Sequence, residues 1–359
     1  MQLDLRESGE FSDYDDAFGL PKILVIGCGG AGNNAITSLS KMGIKGARTV
    51  AINTDSQQLK TAQADELILI GQRITKGNGA GGDPEVGSKA AELAATELES
   101  ILKGADLVFV IAGLGGGTGT GSAPVVARLA RERGAIVVAM VTTPFHLERS
   151  RVFVAEEGLD AVRRYADTLI VMDNNRLLDF ASHLPVQHAF SVVNRIMAEI
   201  VEGICDTLTS SSLINLDYAD VCTIMRSGGA SFMFVGEGKL KSSPEKIVRN
   251  ALKNPLIDVD YRGAGACLLH MTGGPDMTMR EAAAIAGALT LELDPKANVI
   301  WGARIRPDFA GKVRLMAIIT GVKSSQVLSA SDHLEARPDF RPRRERKIDQ
   351  NYAKIDMIK

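Results

Sequence analysis

Long hydrophobic stretches are missing from this chain of 359 residues. No apolar run approaches the roughly 18 residues that a membrane-spanning helix requires. An excess of charge of one sign is missing as well, since the net charge is −2. Such a balance provides no overall attraction to nucleic acid or to an anionic membrane surface. The sequence therefore predicts neither direct insertion into a membrane nor binding to nucleic acid.

Cysteine and histidine are scarce, which bears on metal sites and disulfide bonds. The four cysteines, Cys28, Cys205, Cys222 and Cys267, form no C-x-x-C pair. This spacing favours small buried side chains in a reduced cytoplasm over a zinc site or a disulfide framework. Two of the five histidines, His183 and His188, lie five residues apart and do not share a helix face well. No protein metal cluster is predicted.

The two ends of the chain lack the pattern of a packed core. Residues 1–20 are rich in acidic side chains and contain no signal-peptide core, so we expect a solvent-exposed, disordered arm. The apolar periodicity lapses again near residue 323, and residues 324–359 are expected to form a disordered tail with a basic cluster at 341–347. The last eight residues, 352–359, include apolar side chains, which favours a binding peptide over a disordered end without function.

Between these ends the chain has the alternating pattern of an α/β protein. Strands are predicted over residues 22–27, 48–54, 66–71, 106–113, 135–142 and 168–173. Helices are predicted between them over 31–42, 84–103, 120–133 and 150–165. Strands that alternate with helices favour a parallel sheet covered on both faces. Residues 21–185 are therefore predicted to form one domain of Rossmann-like architecture.

The second half of the chain has a different organisation. Residues 186–209 carry apolar side chains at helical spacing over a broad face, which predicts a long central helix buried between two domains. Further strands are predicted over 231–236, 265–272, 297–304 and 312–321, with helices over 243–254 and 278–293. Residues 210–323 are therefore predicted to form a smaller α+β domain.

The most informative segment is a loop of glycine and threonine, GGGTGTG, at residues 115–121. An apolar strand precedes it and a helix follows it, so it is not a flexible linker. Free N–H groups at such a helix start are suited to bind an anion, most often phosphate. The loop contains no lysine and does not match the common P-loop. Phosphate charge is therefore expected to meet backbone amides, threonine hydroxyls and a metal ion.

Another glycine loop, which comes earlier in the chain and is called the first glycine loop below, follows the first predicted strand. Gly27, Gly29 and Gly32 satisfy G-x-G-x-x-G, and Asp55 ends the next strand at about the spacing of a ribose-binding acid. Taken alone, this pattern indicates a dinucleotide site and keeps an NAD-dependent oxidoreductase open as an alternative. The loop at residues 115–121 is not explained by that alternative.

Together the two loops resemble those of the tubulin/FtsZ superfamily of polymerising GTPases, specifically FtsZ of archaeal type. GGGTGTG is that family's signature loop, and four further stretches match in order: residues 74–87, 142–145, 173–178 and 215–221. The resemblance covers roughly residues 20–323. It implies a tubulin/FtsZ-like fold, with a Rossmann-like parallel-sheet GTP-binding domain, a long central helix and a smaller α+β C-terminal domain.

The resemblance also implies a set of GTP contacts. Residues that the family places around the phosphates are Gly29, Gly30, Gly32, Asn33, Gly79, Ala80, Gly81, Gly82, Gly115, Gly116, Gly117, Thr118 and Gly119. Residues that it places around the ribose and guanine are Thr143, Pro144, Glu148, Arg151, Asn174, Phe190 and Asn194. A Mg²⁺ ion is expected to bind through the GTP phosphates and water, with no dedicated protein ligands.

Hydrolysis requires a group that positions the attacking water, and the nucleotide loops offer no convincing base. Asp217 and Asp220 are candidates, but they follow a predicted helix about 36 Å long, too far from the nucleotide of their own chain. Capping of the next helix is the other role open to them. In the family, this acidic loop completes the site of the neighbouring subunit, which implies catalytic roles for Asp220, Asp217 and Asn215.

Two departures from the family pattern affect the ribose and base contacts. The phenylalanine-glutamate-glycine segment reads FHLERSR at residues 145–151 and is one residue short, which bears on Glu148 and Arg151. Asn194 occupies a position where many relatives have aspartate, and an amide lacks the two charged acceptors of a carboxylate. Selectivity for guanine, or affinity for the base, is therefore expected to be lower than in those relatives.

The resemblance further implies head-to-tail filaments of a cytokinetic ring at mid-cell in the cytoplasm. It also implies membrane-tethering adaptors of the SepF or FtsA type that bind the C-terminal tail. A scaffold that binds GTP without hydrolysing it is a further alternative, which the complete set of Asn215, Asp217 and Asp220 disfavours.

Overall fold

The computed structural model describes residues 20–209, 218–226, 231–252 and 260–322. Its larger sheet has six parallel strands in the order β3-β2-β1-β4-β5-β6. The strands are β1 Ile23–Cys28, β2 Ala47–Asn53, β3 Glu66–Leu69, β4 Leu107–Gly113, β5 Ile136–Thr143 and β6 Thr168–Asp173. The order reverses direction at β1 and β4, as in doubly wound α/β folds. The predicted fold class is confirmed.

The central strands are buried on both faces because almost every residue in them is apolar. In β1, Ile23 and Val25 belong to one hydrophobic core, while Leu24 and Ile26 belong to the other. Successive side chains of a strand point to opposite faces, so a continuous apolar run supplies both cores at once.

Nine helices of the described residues accompany this sheet or connect it to the rest of the chain. They are α1 Gly29–Met42, α2 Ser56–Thr61, α3 Gln72–Thr75, α4 Pro84–Leu93, α5 Ala95–Leu102, α6 Thr118–Glu132, α7 Ser150–Arg163, α8 Leu177–Phe180 and α9 Val186–Thr209. Short 3-10 turns occupy His146–Glu148 and Asn174–Arg176.

Three helix predictions need correction. The single helix predicted over 84–103 is two helices, α4 and α5, which meet at Ala94, where φ is −95° and ψ is 7°. No glycine or proline marks this break. The helices predicted over 31–42 and 120–133 each begin two residues earlier, at Gly29 and Thr118. Both starts lie inside the glycine loops, where no apolar side chain signals a helix.

The long helix α9 has the bounds of the predicted central helix and packs between the two sheets. Val193, Met197, Val201 and Ile204 on its buried face belong to a core that extends into the C-terminal sheet. A Cβ added to Gly203 would lie 3.0 Å from Val235 of that sheet, so the helix lies directly against it. The division of the chain into domains at residues 185 and 209 stays a prediction.

The smaller sheet has four strands in the order β7-β10-β8-β9. They are β7 Ser231–Lys239, β8 Ala266–Gly273, β9 Asn298–Ile305 and β10 Lys312–Thr320, with helices α10 Tyr218–Arg226, α11 Pro244–Leu252 and α12 Met279–Thr290. Strand β10 is antiparallel to β7 and β8, whereas β8 and β9 are parallel. The four predicted strands and two predicted helices of this region are present.

A polar contact joins α9 to this sheet. Asp206 on α9 accepts a hydrogen bond of 2.8 Å from Arg304 on β9. Burial lowers the pKa of nearby His270 to about 4, although Asp206 opposes the shift. The imidazole is therefore neutral at pH 7, and the charges at this contact are those of Asp206 and Arg304.

Candidate functional site

The glycine loops meet at one edge of the six-stranded sheet because parallel strands all end there. Cys28 pairs with Ala112 in register, and each residue is followed by one of the two glycine loops. Thr143 pairs with Asp173, so the loops after β5 and β6 also start side by side. This carboxyl edge is where open α/β sheets bind their ligands.

Two helices present uncapped N-termini at this edge. Helix α1 follows Cys28 and helix α6 follows Gly117, and neither start has a side-chain cap or an acidic residue in its first turn. The nearby helix α4 is different, because Asp83 accepts a hydrogen bond of 2.8 Å from the Glu85 N–H. Uncapped N–H groups and aligned helix dipoles favour an anion at the starts of α1 and α6.

The two glycine loops contact each other through their main chains. Gly29 has φ +71°, and a Cβ there would lie 2.8 Å from the Gly119 nitrogen. A Cβ on Gly119 would lie 2.7 Å from the Gly113 carbonyl oxygen. Cβ atoms do not tolerate such distances, so these two positions require glycine for close packing of the backbones.

A third loop, residues 77–83, lies beside the signature loop. Ala80 is buried, and a Cβ on Gly117 would lie 2.9 Å from the Ala80 Cβ. In contrast, a Cβ on Gly81, Gly82 or Gly116 would meet no atom within 4 Å. The main chain of these three glycines therefore borders open space, as expected of a loop that closes over a ligand.

Asn33 and Gly32 lie beneath the first glycine loop. When its side-chain amide is turned so that the nitrogen faces the carbonyl groups, the buried Asn33 donates to the carbonyl oxygens of Gly27 (2.9 Å) and Gly29 (3.1 Å). In the same orientation its oxygen accepts a hydrogen bond of 3.1 Å from Asn53 Nδ2. A Cβ on Gly32 would lie 2.4 Å from the Ile111 carbonyl oxygen. The Asn33 side chain therefore holds the first glycine loop in shape.

On the side predicted to bind ribose, Glu148 and Arg151 pair with each other. Glu148 accepts hydrogen bonds of 2.9 Å from the Phe145 N–H and from Arg151 Nη1. The segment after Phe145 begins with a 3-10 turn, after which Arg149 has φ 44° and ψ −90°. A non-glycine residue with such a positive φ is strained, so the backbone strain of this segment lies at Arg149.

On the side predicted to bind guanine, one polar atom has no protein partner. Asn174 Oδ1 is buried and makes no hydrogen bond within the described part of the chain. Phe190 is 39% exposed and lies edge-on to Phe145, with ring centroids 5.9 Å apart. Asn194 is half-buried one helical turn after Phe190. A partly open aromatic face and an unsatisfied amide fit a purine with hydrogen-bond donors.

Two positioning residues had no signal in the sequence. Asn175 donates to Asp173 (2.7 Å) and to the Pro144 carbonyl (3.4 Å), and it accepts from the His146 N–H (2.8 Å). It thereby joins the loops after β5 and β6. Thr54, which follows β2, lies 2.6 Å from Thr118 through their hydroxyl oxygens. Asn175 and Thr54 act through contacts between separate loops, which no local sequence pattern reveals.

Asp55 caps a helix, so its carboxylate is already used within the protein. Its carboxylate accepts hydrogen bonds of 2.9 Å and 3.0 Å from the main-chain N–H groups of Gln57 and Gln58, which makes it the N-cap of α2. The acid on which the oxidoreductase alternative depended therefore has a helix-capping role, and that alternative is not favoured.

Asp220 lies at the opposite edge of the sheet from the glycine loops. It is in the first turn of α10, two residues after Tyr218, whose hydroxyl donates a hydrogen bond of 2.5 Å to the Asp106 carbonyl. Asp106 precedes β4, whereas the signature loop follows it. Asn215 and Asp217 lie outside the described residues.

Metal ligands and thiols contribute little to this site. Among the described residues, no group of three or more histidine, cysteine, aspartate or glutamate side chains is arranged to hold a metal ion. All four cysteines are free thiols. Burial raises the pKa of the Cys28 thiol to about 12, so it stays uncharged beneath the first glycine loop. No helix within the described ranges is long and apolar enough to cross a membrane.

Comparison with known protein families gives two matches along the chain. The sequence model of the Tubulin/FtsZ family, GTPase domain, matches residues 22–182. That of the FtsZ family, C-terminal domain, matches residues 229–323.

Individual relatives agree with these families. Cell division protein FtsZ 2 of Haloferax volcanii is 54% identical over 335 residues, which cover 93% of this chain and 84% of the relative. FtsZ 2 of Methanocaldococcus jannaschii is 55% identical and covers 87% of this chain and 83% of its own. A solved FtsZ dimer of M. jannaschii has 43% identity and a TM-score of 0.77 over 87% of this chain and 93% of that one. CetZ2 from H. volcanii, solved as a GTPγS-bound protofilament, has 25% identity and a TM-score of 0.73 over 88% of this chain and 97% of its own.

Replacement of Arg149 by glycine is expected to stabilise the protein. Relief of strain of about 1–3 kcal/mol exceeds the entropy that glycine adds to the unfolded chain, about 0.5–1 kcal/mol. We expect the free energy of unfolding in denaturant to rise by about 1 kcal/mol. Arg163→Gly is the matched control, because Arg163 is equally exposed but helical, and its replacement should lower stability. A lower stability of Arg149→Gly than of the parent protein would show that Arg149 is unstrained.

Proposed function

Because the chain belongs to the FtsZ family of cell division proteins, with a tubulin-like GTPase fold, we propose that it is an assembly-dependent GTPase. It binds GTP, polymerises head-to-tail and forms the filaments of a cytokinetic ring at mid-cell in the cytoplasm. The family match and the relatives named as cell division proteins support this proposal.

Main-chain N–H groups at the starts of α1 and α6 supply the proposed phosphate contacts. Gly29 and Gly30 contribute amides near the middle phosphate, with Gly32 and Asn33 in the next turn of α1 behind them. Residues 116–119 do so near the terminal phosphates, whereas the Gly115 N–H donates to the Thr120 hydroxyl (2.9 Å). Residues 79–82 close over the γ-phosphate. A hydrogen bond to a charged group contributes about 1.5–3 kcal/mol, so several amides hold the anion without a lysine. Magnesium, held through phosphate and water, would neutralise charge there.

The ribose and guanine of the proposed GTP lie on the two sides of the site that follow β5 and β6. Thr143 and Pro144 border the ribose, and the Glu148–Arg151 pair closes that side. Phe190 stacks on the purine, and Asn174 and Asn194 face its hydrogen-bonding edge. The buried Asn174 Oδ1 is a fitting acceptor for a guanine N–H.

The position of Asp220 is the observation that carries the shared-site mechanism. The Tyr218–Asp106 hydrogen bond anchors its helix at the amino end of β4, while the signature loop leaves the carboxyl end. Seven residues of strand separate these ends by about 23 Å. Asp220 is therefore out of reach of its own chain's nucleotide. It fits a role on the nucleotide of a neighbour, where Asp220 orients water and Asp217 and Asn215 help to place it.

A site shared in this way links hydrolysis to assembly. Head-to-tail contacts use two different surfaces and do not close, so they generate linear filaments. GTP at the contact favours assembly, and loss of its γ-phosphate removes part of the interface. Sedimentation with GTP, combined with phosphate release measured against protein concentration, tests this. Turnover per subunit that does not change with concentration contradicts the proposal, and GTP-dependent sedimentation without phosphate release indicates a non-hydrolysing scaffold.

Guanine is expected to be strongly preferred over adenine. A site with acceptors for the N1–H and N2–H₂ donors of guanine leaves those acceptors unpaired with adenine, which costs affinity. We expect competition titrations to give GTP an affinity at least about 100-fold above that of ATP. Asn194→Asp should widen this ratio, because it adds a charged acceptor. Comparable affinities for GTP and ATP would contradict the assignment of the base site.

Two inactive variants are expected to restore activity when mixed. Asp220→Ala keeps its nucleotide loops and should bind GTP, but its phosphate release should fall by roughly 100-fold or more. Gly116→Asp should not bind GTP, because its carboxylate faces the phosphates. Gly116 is better suited than Gly117, where a Cβ would lie 2.8 Å from the Asp83 nitrogen and distort the loop. In the mixture, the intact Asp220 of one subunit meets the GTP of the other.

The control for this mixture is Gly116→Asn, which has the same size without the charge and should retain more GTP binding. Phosphate release from the mixture is corrected for each variant alone. The shared site is wrong for this chain if Gly116→Asp co-sediments with the polymer and no activity returns.

The C-terminal tail is proposed to bind a membrane-tethering adaptor of the SepF or FtsA type. Residues 324–359 lie outside the described residues, and the apolar side chains of 352–359 support this role. Truncation after Val322 should leave GTP binding and sedimentation unchanged, because Val322 is the last core residue described. Replacement of Ile355 and Met357 by serine should abolish mid-cell localisation of a fluorescent fusion. Loss of assembly on truncation would contradict the statement that the tail is dispensable for polymerisation. Unchanged localisation of the serine variant would contradict the proposed adaptor binding.

A further inference from the structure

We infer that Thr54 is a positioning residue that orients the Thr118 hydroxyl toward the bound phosphates. This inference rests on the proposed GTP site. Thr54 follows β2 and is fully buried, and its hydroxyl oxygen lies 2.6 Å from that of Thr118 in the signature loop. Thr118 itself is half-buried at the start of α6.

The direction of this hydrogen bond follows from what else the two hydroxyls can reach. Among the described residues, Thr118 is the partner of the Thr54 hydroxyl. If Thr118 donated, the buried Thr54 proton would be left without an acceptor, and an unsatisfied buried donor is costly. Thr54 therefore donates and Thr118 accepts.

Acceptance from Thr54 leaves the Thr118 proton free for another acceptor. A hydroxyl carries one proton and two lone pairs, so one lone pair of Thr118 is occupied and its proton turns away from Thr54. The proton then joins the N–H groups at the start of α6 as one more donor to an anion. Without Thr54, the Thr118 hydroxyl rotates freely and can present a lone pair to phosphate.

The main chain of Thr54 also supports the third nucleotide loop. Its carbonyl oxygen accepts hydrogen bonds from the Gly79 N–H (3.1 Å) and from the Thr75 hydroxyl (3.3 Å). One buried residue thus contacts both the signature loop and the loop that borders the γ-phosphate in the proposed site. The Thr54 hydroxyl contacts the signature loop, and its carbonyl contacts the third loop. Substitution of the side chain therefore tests the contact with the signature loop alone.

The decisive experiment is a double-mutant cycle on nucleotide affinity. Thr54→Val and Thr118→Val should each weaken GTP and GDP by about tenfold, the loss expected of one hydrogen bond to a charged group. The double variant should bind no more weakly than Thr118→Val alone, because Thr54 acts only through that hydroxyl. Guanosine, which has no phosphate, should bind all variants equally.

Matched controls separate this role from a structural one. Thr168 is also fully buried, and its hydroxyl has no partner in the described chain, so Thr168→Val should bind GTP as the parent protein does. Thr54→Ser keeps the hydroxyl and should restore affinity to within about threefold of the parent. Thr54→Ala replaces Thr54→Val in the cycle if the valine methyl, at the short distance to Thr118, prevents folding.

Several outcomes would overturn the inference. They are parental GTP affinity in both Thr54→Val and Thr54→Ala, multiplication of the two losses in the double variant, or equal weakening of guanosine. Absence of GTP binding by the parent protein would instead refute the proposed GTP site, so the two failures are distinguishable.

Discussion

The main-chain contact between Gly29 and Gly119 is the constraint on which the nucleotide edge of this protein depends. A Cβ on Gly29 would lie 2.8 Å from the Gly119 nitrogen, and a Cβ on Gly119 would lie 3.1 Å from the Cys28 carbonyl oxygen. Because of that contact, the starts of α1 and α6 lie side by side, and both are uncapped. The positive potential of the site is therefore largely a property of peptide dipoles, with no lysine in the signature loop.

The other loops are organised around this contact. Ala80 packs on Gly117, and Thr54 contacts the signature loop through Thr118 and the third loop through Gly79. Asn33 keeps the first loop in shape by hydrogen bonds to its carbonyl groups. The donors at the starts of α1 and α6 are thus held in place by contacts within the protein, and donors that are already oriented stabilise charge well.

Much of the fold was predictable because the strands are almost purely apolar. Runs such as β1 and β4 have no other plausible place than a sheet buried on both faces. The start of α6 and the break at Ala94 were not predictable, since glycine supplies no periodicity and the break has no local signal. The glycine loops of the site were evident from the sequence. Asp55 supported the oxidoreductase alternative only by its position, and an acid at the end of a strand serves equally well as a helix cap.

Opposite placement of the glycine loops and Asp220 has a consequence for the ends of a filament. If each complete site needs two subunits, a filament has one fewer complete site than it has subunits. In the proposed filament, the subunit at one end would hold a nucleotide that no neighbour can attack, and the subunit at the other end would have an acid with no nucleotide to act on. The two tips are chemically different from the moment a dimer forms. One tip would keep its GTP for as long as no further subunit binds there. Each incoming subunit would allow hydrolysis of the GTP that was exposed at that tip, and would bring a new GTP that is not yet hydrolysed.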